Sequence, residues 1–103
     1  MPKEMRMRVG TKVYLDSFAG PLPGVVVGFC YDPMDRQVLP LVKLTIRKRR
    51  GGYRPGEIIV GWPLHIFPRE SLHVRSGHYY FYGVKWVLPK PTKDMPICGR
   101  IYT

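Results

Sequence analysis

The chain has 103 residues, and its 17 Lys and Arg outnumber its 7 Asp and Glu, which gives a formal net charge of +10. This length fits one domain, and a hydrophobic content of 45% is too high for a disordered chain. The 11 Gly and 11 Pro residues leave little room for long helices, and no apolar run approaches the ~20 residues of a membrane span.

The first part of the chain predicts short strands separated by turns. Residues 5–15 alternate between apolar and polar side chains, with an interruption at Gly10, as a strand with one buried face does. Residues 16–24 contain Pro and Gly too often for a hydrogen-bonded ladder and predict a loop. Residues 25–31 are β-branched and aromatic, which predicts a central strand with Gly28 as a bulge or bend.

The clearest strand pattern lies in the middle of the chain. Residues 32–35 (Asp-Pro-Met-Asp) are a turn signal. In the strand predicted over residues 41–47, Val42, Leu44 and Ile46 share one face, which we expect to be the core face. The opposite face, predicted to meet solvent, carries Leu41, Lys43, Thr45 and Arg47.

A loop or flared hairpin tip is predicted over residues 47–56, where Arg, Lys, Gly and Pro follow one another closely. Residues 57–61 form the returning strand, and residues 62–68 are extended and apolar. The spacing of residues 68–72 suits a single 3₁₀ turn with Leu72 pointing inward.

A hairpin and a tail complete the chain. Residues 73–75 and 78–82 flank a two-residue tip at 76–77, and residues 84–88 predict a last strand. Residues 89–103 are Pro-rich and predict an extended strap. The side chains expected to hold the end of this strap against the body are Ile97, Ile101 and Tyr102.

Six or seven short strands at roughly ten-residue spacing, with turn residues between them, indicate an all-β barrel or sandwich. For ~100 residues, small and strongly bent barrels fit best. An OB-fold is the main competitor, but it commonly places a helix between its third and fourth strands, and the sequence predicts no helix there.

Three segments carry a resemblance to a known family: residues 8–15 (Arg-Val-Gly-Thr-Lys-Val-Tyr-Leu), 18–20 (Phe-Ala-Gly) and 23–28 (Pro-Gly-Val-Val-Val-Gly). They resemble the opening of SH3-like small barrels of the KOW type, found in ribosomal and transcription-elongation proteins. The likeness spans residues 8–75, mostly as a strand pattern, and implies a single SH3-like barrel of about six strands over residues 1–88. Modules of this pattern also include peptide-binding and structural ones. The sequence as a whole also resembles those of small phage-encoded proteins.

The two cysteines, Cys30 and Cys98, lie far apart in the sequence. No apolar segment follows the basic N-terminus, so we expect no signal peptide and a cytoplasmic location, the host cytoplasm for a viral protein. Two free thiols in a reducing compartment are the expectation, with one disulfide as the alternative. No metal-ligand spacing and no cofactor motif is present, so neither a metal nor a cofactor is expected.

The strongest functional feature is a run of cations within residues 43–54 that contains no acid. Cations that neutralise phosphates release counterions and give affinity without reading the sequence. Tyr53, beside two glycines that let the tip bend, is expected to stack on an unpaired base. The alternative is a solvated tip that keeps the protein soluble or meets an acidic protein. The basic residues are Lys43, Arg47, Lys48, Arg49, Arg50 and Arg54.

An aromatic run over residues 79–82 is the second feature. Strand alternation places Tyr79 and Phe81 on one side, and Tyr80 and Tyr82 on the other, next to cations. One pair is expected to pack inward, and the other to be exposed for base stacking or for a protein interface. A groove lined by Trp62, His65 and Phe67 is a third candidate. We favour the alternative that these three residues lie in the interior of the fold or at its margin.

These features predict a non-enzymatic nucleic-acid-binding module of low sequence specificity. RNA or a single strand is favoured over duplex DNA because of the aromatic residues, and because no recognition helix is predicted. The alternative is a protein-interaction or structural module that docks on an acidic partner. The oligomeric state stays open, and the acids form no pair suited to catalysis.

Overall fold

The computed structural model describes residues 3–99, which fold into strands with two short 3₁₀ turns and no α-helix. The all-β class is therefore confirmed for this part of the chain. No helix among these residues has the length and apolar character needed to cross a bilayer. The 3₁₀ turns span Pro63–His65 and Arg69–Ser71. The strands are β1 (Lys3–Arg6), β2 (Lys12–Ser17), β3 (Gly20–Asp32), β4 (Gln37–Leu44), β5 (Ile58–Val60), β6 (Ile66–Pro68), β7 (Leu72–Arg75), β8 (His78–Phe81) and β9 (Val84–Val87).

One antiparallel sheet of five strands, in the order β5-β4-β3-β2-β6, forms the body of the protein. Its edge strands curl towards each other, since Ile59 of β5 and Ile66 of β6 pack into the same core. A Cβ on Gly61 would overlap the Ile66 side chain, so the two edges approach closely there. The hydrogen-bonded ladder nevertheless stays open between β5 and β6. The buried core consists of Met7, Val13, Leu15, Leu22, Val26, Val42, Leu44, Ile46 and Ile66.

Residues 16–24, predicted as a loop, instead complete β2 and open β3. Pro21 and Pro23 fit into the strand because their nitrogens point away from β2, so no hydrogen bond of the β2–β3 ladder is lost. The Pro23 carbonyl, on the same side as its nitrogen, accepts a hydrogen bond of 2.9 Å from the Thr45 N–H. The number of prolines alone therefore does not predict a loop here, because a strand tolerates a proline when the proline nitrogen points away from the neighbouring strand.

The central strands follow the predicted pattern with shifted boundaries. The bulge at Gly28 is confirmed, since the register between β3 and β4 shifts between Val26 and Gly28. β4 begins and ends earlier than the predicted strand, but Val42 and Leu44 lie in the core as expected. Leu41 was predicted to meet solvent and is buried.

The last strands form two small sheets. β7 and β8 form the predicted hairpin, whose tip at Ser76 has a φ of 52°. β9 pairs in parallel with β1, a pairing that joins the first and the last strand of the described residues. The Trp86 Nε1–H donates a hydrogen bond of 2.8 Å to the Ile66 carbonyl, which ties this pair to the main sheet. The 3₁₀ turn at Arg69–Ser71 is confirmed, although Ser71 is buried and Leu72 only half-buried.

The strap is held against the far end of β3 by a disulfide between Cys30 and Cys98. On either side of this bond, the Tyr31 N–H donates to the Pro96 carbonyl (2.8 Å) and the Cys98 N–H donates to the Tyr31 carbonyl (2.9 Å). The prediction of two free thiols is therefore wrong, whereas the cytoplasmic location stays a prediction. Ile97 of the strap forms a β-bridge with Tyr31 of β3, as expected. Ile101 and Tyr102, predicted to help hold the strap, lie outside the described residues.

Candidate nucleic-acid interface

Residues 45–57, which we call the basic loop, leave the sheet where β4 ends. Two hydrogen bonds close the base of this loop: the Leu44 N–H donates to the Glu57 carbonyl (2.8 Å), and the Gly56 N–H donates to the Leu44 carbonyl (2.9 Å). At the tip, Arg50 and Tyr53 exchange backbone hydrogen bonds of 3.0 and 2.8 Å. The loop therefore holds a defined backbone conformation between its base and its tip.

The tip of the basic loop packs against the turn between β2 and β3. Gly51 and Gly52 turn the chain with φ angles of 53° and 87°, which favour glycine. A Cβ added at Gly51 would lie 2.7 Å from the Ala19 Cβ, so the two turns are in close contact. The Arg50 guanidinium donates a hydrogen bond of 3.0 Å to the Pro21 carbonyl. The sequence predicted a loop or flared hairpin tip, and in the structure this tip folds back because the Pro21 carbonyl and the Ala19 side chain provide partners for it.

The predicted basic residues are all exposed. Arg50 is the member whose guanidinium already has a protein partner. Lys43 also has a basic neighbour on the sheet, because Lys12, Val25 and Lys43 lie side by side across β2, β3 and β4. Strands lie about 4.8 Å apart, so the Cα atoms of the two lysines are roughly 10 Å apart on one solvent face. A continuous basic surface therefore runs from this face into the loop.

Beside the basic loop lies a cleft of about 470 Å³, lined by residues 16–18, Tyr53 and His65, which we call the aromatic groove. A second hollow of about 170 Å³ shares several of these residues and adds Trp62. Trp62, predicted to favour the interior or its margin, is 48% exposed. Phe67 does not join the groove, since it stacks on Phe81 with ring centroids 4.4 Å apart. Tyr53 is half-buried against the core, which leaves only part of its ring for a ligand.

Phe18 and Asp16 line this site but were not singled out from the sequence. Phe18 is the more prominent of the two. Its side chain is fully exposed in the tight turn between β2 and β3. Ser17 locks that turn, because its hydroxyl donates to the Gly20 carbonyl (2.7 Å) and accepts from the Ala19 N–H (3.1 Å). The sequence could have indicated this exposure, because a large aromatic residue between Ser and Ala-Gly lies in a tight turn, where its side chain cannot pack into the core.

The β7–β8 hairpin presents a separate aromatic surface. His73, Tyr80 and Tyr82 stack on one face, with the His73 ring 5.5 and 4.6 Å from the two tyrosine rings. Arg75 lies opposite His78 on this same face. The predicted alternation is confirmed, because Phe81 packs on the other face against β6 while Tyr80 and Tyr82 are exposed. The expectation that one whole pair packs inward holds for Phe81 alone, since Tyr79 is 41% exposed.

Tyr79 links this hairpin to the groove. Its hydroxyl donates a hydrogen bond of 3.2 Å to Asp16 Oδ1. Burial and the neighbouring Asp16 carboxylate raise the pKa of Tyr79 above its usual value of 10.0. The phenol is therefore protonated at neutral pH, and it orients the carboxylate that lines the groove.

Comparisons of this chain with protein-family models, with curated proteins and with solved structures returned no match.

Proposed function

We propose that this protein is a non-enzymatic nucleic-acid-binding module that prefers single strands, RNA or DNA, and reads little sequence. The observation that carries the proposal is the contact between the basic loop and the turn that holds Phe18, which places exposed cations beside exposed aromatic rings. Proteins that bind single strands combine these two elements, since cations follow the phosphates while rings stack on the bases.

We further propose that the body is an SH3-like barrel of the KOW type. Two features support this assignment: β2 to β5 follow one another as a meander while β6 returns to pair with β2, and a 3₁₀ turn at Pro63–His65 separates the two edge strands. Both edge strands pack into one core, as the strands of a small barrel do. The β1–β9 pair and the β7–β8 hairpin are additions to this body.

Arg47, Lys48, Arg49 and Arg54 carry the electrostatic part of the binding. All four are exposed, and each phosphate neutralised on a single strand contributes about 0.7 to the slope of log K against log salt. Arg50 contributes less, because its guanidinium already donates to the Pro21 carbonyl. The loop backbone is held at both ends, so less ordering entropy opposes binding than for a disordered basic segment.

The test is a salt titration of binding to fluorescent single-stranded RNA, single-stranded DNA and duplex DNA. Replacement of the four loop cations by Gln is expected to weaken single-strand binding at least tenfold near ~50 mM salt and to flatten the slope by roughly 2 to 3. The matched control loses four exposed cations from other elements and keeps the same net charge as the loop variant. It is expected to retain most of the affinity. The control positions are Lys3, Arg36, Lys90 and Lys93.

Absence of binding to all three nucleic acids near ~50 mM salt would overturn the proposal. Equal losses in the two variants would overturn the loop as the site, because binding would then follow net charge alone. A partner captured from lysate that survives nuclease treatment and depends on the same four loop cations would point instead to an acidic protein partner.

A further inference from the structure

The aromatic groove, beside the basic loop, contains an acid. Asp16 lines both parts of the groove, together with Tyr53 and His65. A carboxylate at this point repels phosphates, so the phosphate contacts of a bound strand belong on the cations outside the groove. What enters the groove is therefore an uncharged part of the strand, and the aromatic rings that line the groove favour a base over the sugar.

The groove offers a base both stacking surfaces and a hydrogen-bond acceptor. Phe18 is fully exposed on a turn locked by Ser17, so its ring is presented without a large loss of entropy on binding. Trp62 provides a second exposed ring in the adjoining hollow. The volume of about 470 Å³ falls within the roughly 300–1,000 Å³ typical of small-molecule sites.

The Asp16 carboxylate is held in place and still has acceptor capacity. Oδ1 accepts the hydrogen bond from the Tyr79 hydroxyl at 3.2 Å. Within residues 3–99, no group donates to Oδ2. A carboxylate only accepts hydrogen bonds, so it pairs with the exocyclic amino group of a base such as cytosine. Uracil carries the acceptor O4 at the same position, so a uracil seated in the same way is repelled there, and its one donor on that edge is the N3–H.

We propose that the aromatic groove seats one unpaired base, and that Asp16 selects bases that carry an exocyclic amino group over uracil or thymine. This inference rests on the proposed function and adds a base preference to a site otherwise expected to read little sequence. Phe18 and Trp62 supply the stacking, which tolerates every base, and Asp16 supplies the discrimination.

The test compares short oligocytidine and oligouridine of equal length, because the two bases have similar stacking areas and differ in carrying an amino group or O4 and in the protonation of N3. The wild-type protein is expected to bind oligocytidine about tenfold more tightly, as one hydrogen bond to a charged acceptor allows. Asp16→Asn is expected to bring the two affinities within about twofold, because the amide of Asn both donates and accepts. This variant also loses a negative charge and binds both oligomers more tightly, so the ratio of the two dissociation constants is the readout.

Phe18→Ala tests the stacking without disturbing the fold, since the side chain is fully exposed. It is expected to weaken binding of both oligomers about tenfold, in line with the loss of one stacked base. The matched control is Leu64→Ala, which also removes a highly exposed apolar side chain near the groove and is expected to change affinity less than twofold.

The outcomes separate this inference from the proposed function. Equal affinity of the wild-type protein for the two oligomers overturns the selection by Asp16, and an unchanged affinity in Phe18→Ala overturns the groove as a base site. In both cases, binding that still depends on salt and on the four loop cations leaves the proposed function in place. Absence of oligomer binding in every salt condition overturns both.

Discussion

The two ends of the outer face of the β3–β4 ribbon differ in solvent exposure: one end is buried and the other is exposed. Leu39, Leu41 and Lys43 succeed one another on this face of β4, because alternate residues of a strand share a side. Leu39 and Leu41 are 2% and 9% exposed beneath the strap, whereas Lys43 is exposed at the start of the basic surface. One strand face therefore serves as interior at one end and as a candidate binding surface at the other.

The two ends also differ in what holds them together. At the far end, Cys30 forms a disulfide with Cys98 and packs with Leu39 and Leu41 in a small second core. At the near end, the basic loop is fixed by backbone hydrogen bonds, by one guanidinium and by the contact of Gly51 with Ala19. The far end is thus held by a covalent bond and a small core of its own, whereas the loop cations at the near end are exposed. Perturbing one end at a time tests this division.

The largest expected effect on stability comes from the far end. Reduction of the Cys30–Cys98 disulfide, which joins positions 68 residues apart, is expected to lower the free energy of unfolding by about 2–4 kcal/mol. Chemical denaturation with and without reductant measures this change. Nucleic-acid affinity, measured on reduced protein that is still folded, is expected to stay within about twofold. A parallel loss of affinity would show that the two ends are not independent.

A smaller loss is expected at the near end from Gly51→Ala. The added methyl group meets Ala19 and the φ of 53° is unfavourable for alanine, so we expect a cost of about 2 kcal/mol and weaker binding. Gly52→Ala is the matched control, because its φ of 87° is also positive but a Cβ there meets nothing within 4 Å. We expect it to cost only about 1 kcal/mol and to leave binding nearly unchanged. Equal effects of the two variants would mean that the contact with Ala19 does not position the loop.

The smallest expected effect concerns the link between the hairpin and the groove. The pKa of Tyr79 is raised by burial and by Asp16, so its stabilising contribution is fully present below pH 10.0 and is lost as the pH rises through the raised value. Stability measured across this alkaline range is expected to fall more steeply for the wild-type protein than for Tyr79→Phe. Identical pH profiles would indicate that the hydrogen bond to Asp16 does not couple the two elements.

Local chemistry made several features of the fold predictable. The core face of Val42 and Leu44, the bulge at Gly28 and the hairpin tip at Ser76 follow from alternation and turn propensity, which are local properties of the chain. The exposure of the loop cations could also be predicted from the sequence, because burying an unpaired charge is costly.

The errors arose where a distant segment decides the outcome. Leu41 was predicted to meet solvent, because alternation cannot show that the strap covers it. The thiols of Cys30 and Cys98 were predicted to be free, because a spacing of 68 residues says nothing about their separation in space. Trp62 was placed towards the interior, because its apolar neighbours in the sequence do not show that it borders an open groove.

The sequence by itself determined that the chain is all-β, that its charge is concentrated in residues 43–54, and that two pairs of aromatic residues lie on opposite faces of one hairpin. Only the tertiary structure decided that the basic loop folds back onto the turn that carries Phe18, and that Asp16 lines the groove between them. The physical reason is the distance along the chain over which each effect acts. Strand periodicity and turn formation depend on a few neighbouring residues. The contact of Gly51 with Ala19 and the approach of Tyr79 to Asp16 join positions that are far apart in the chain.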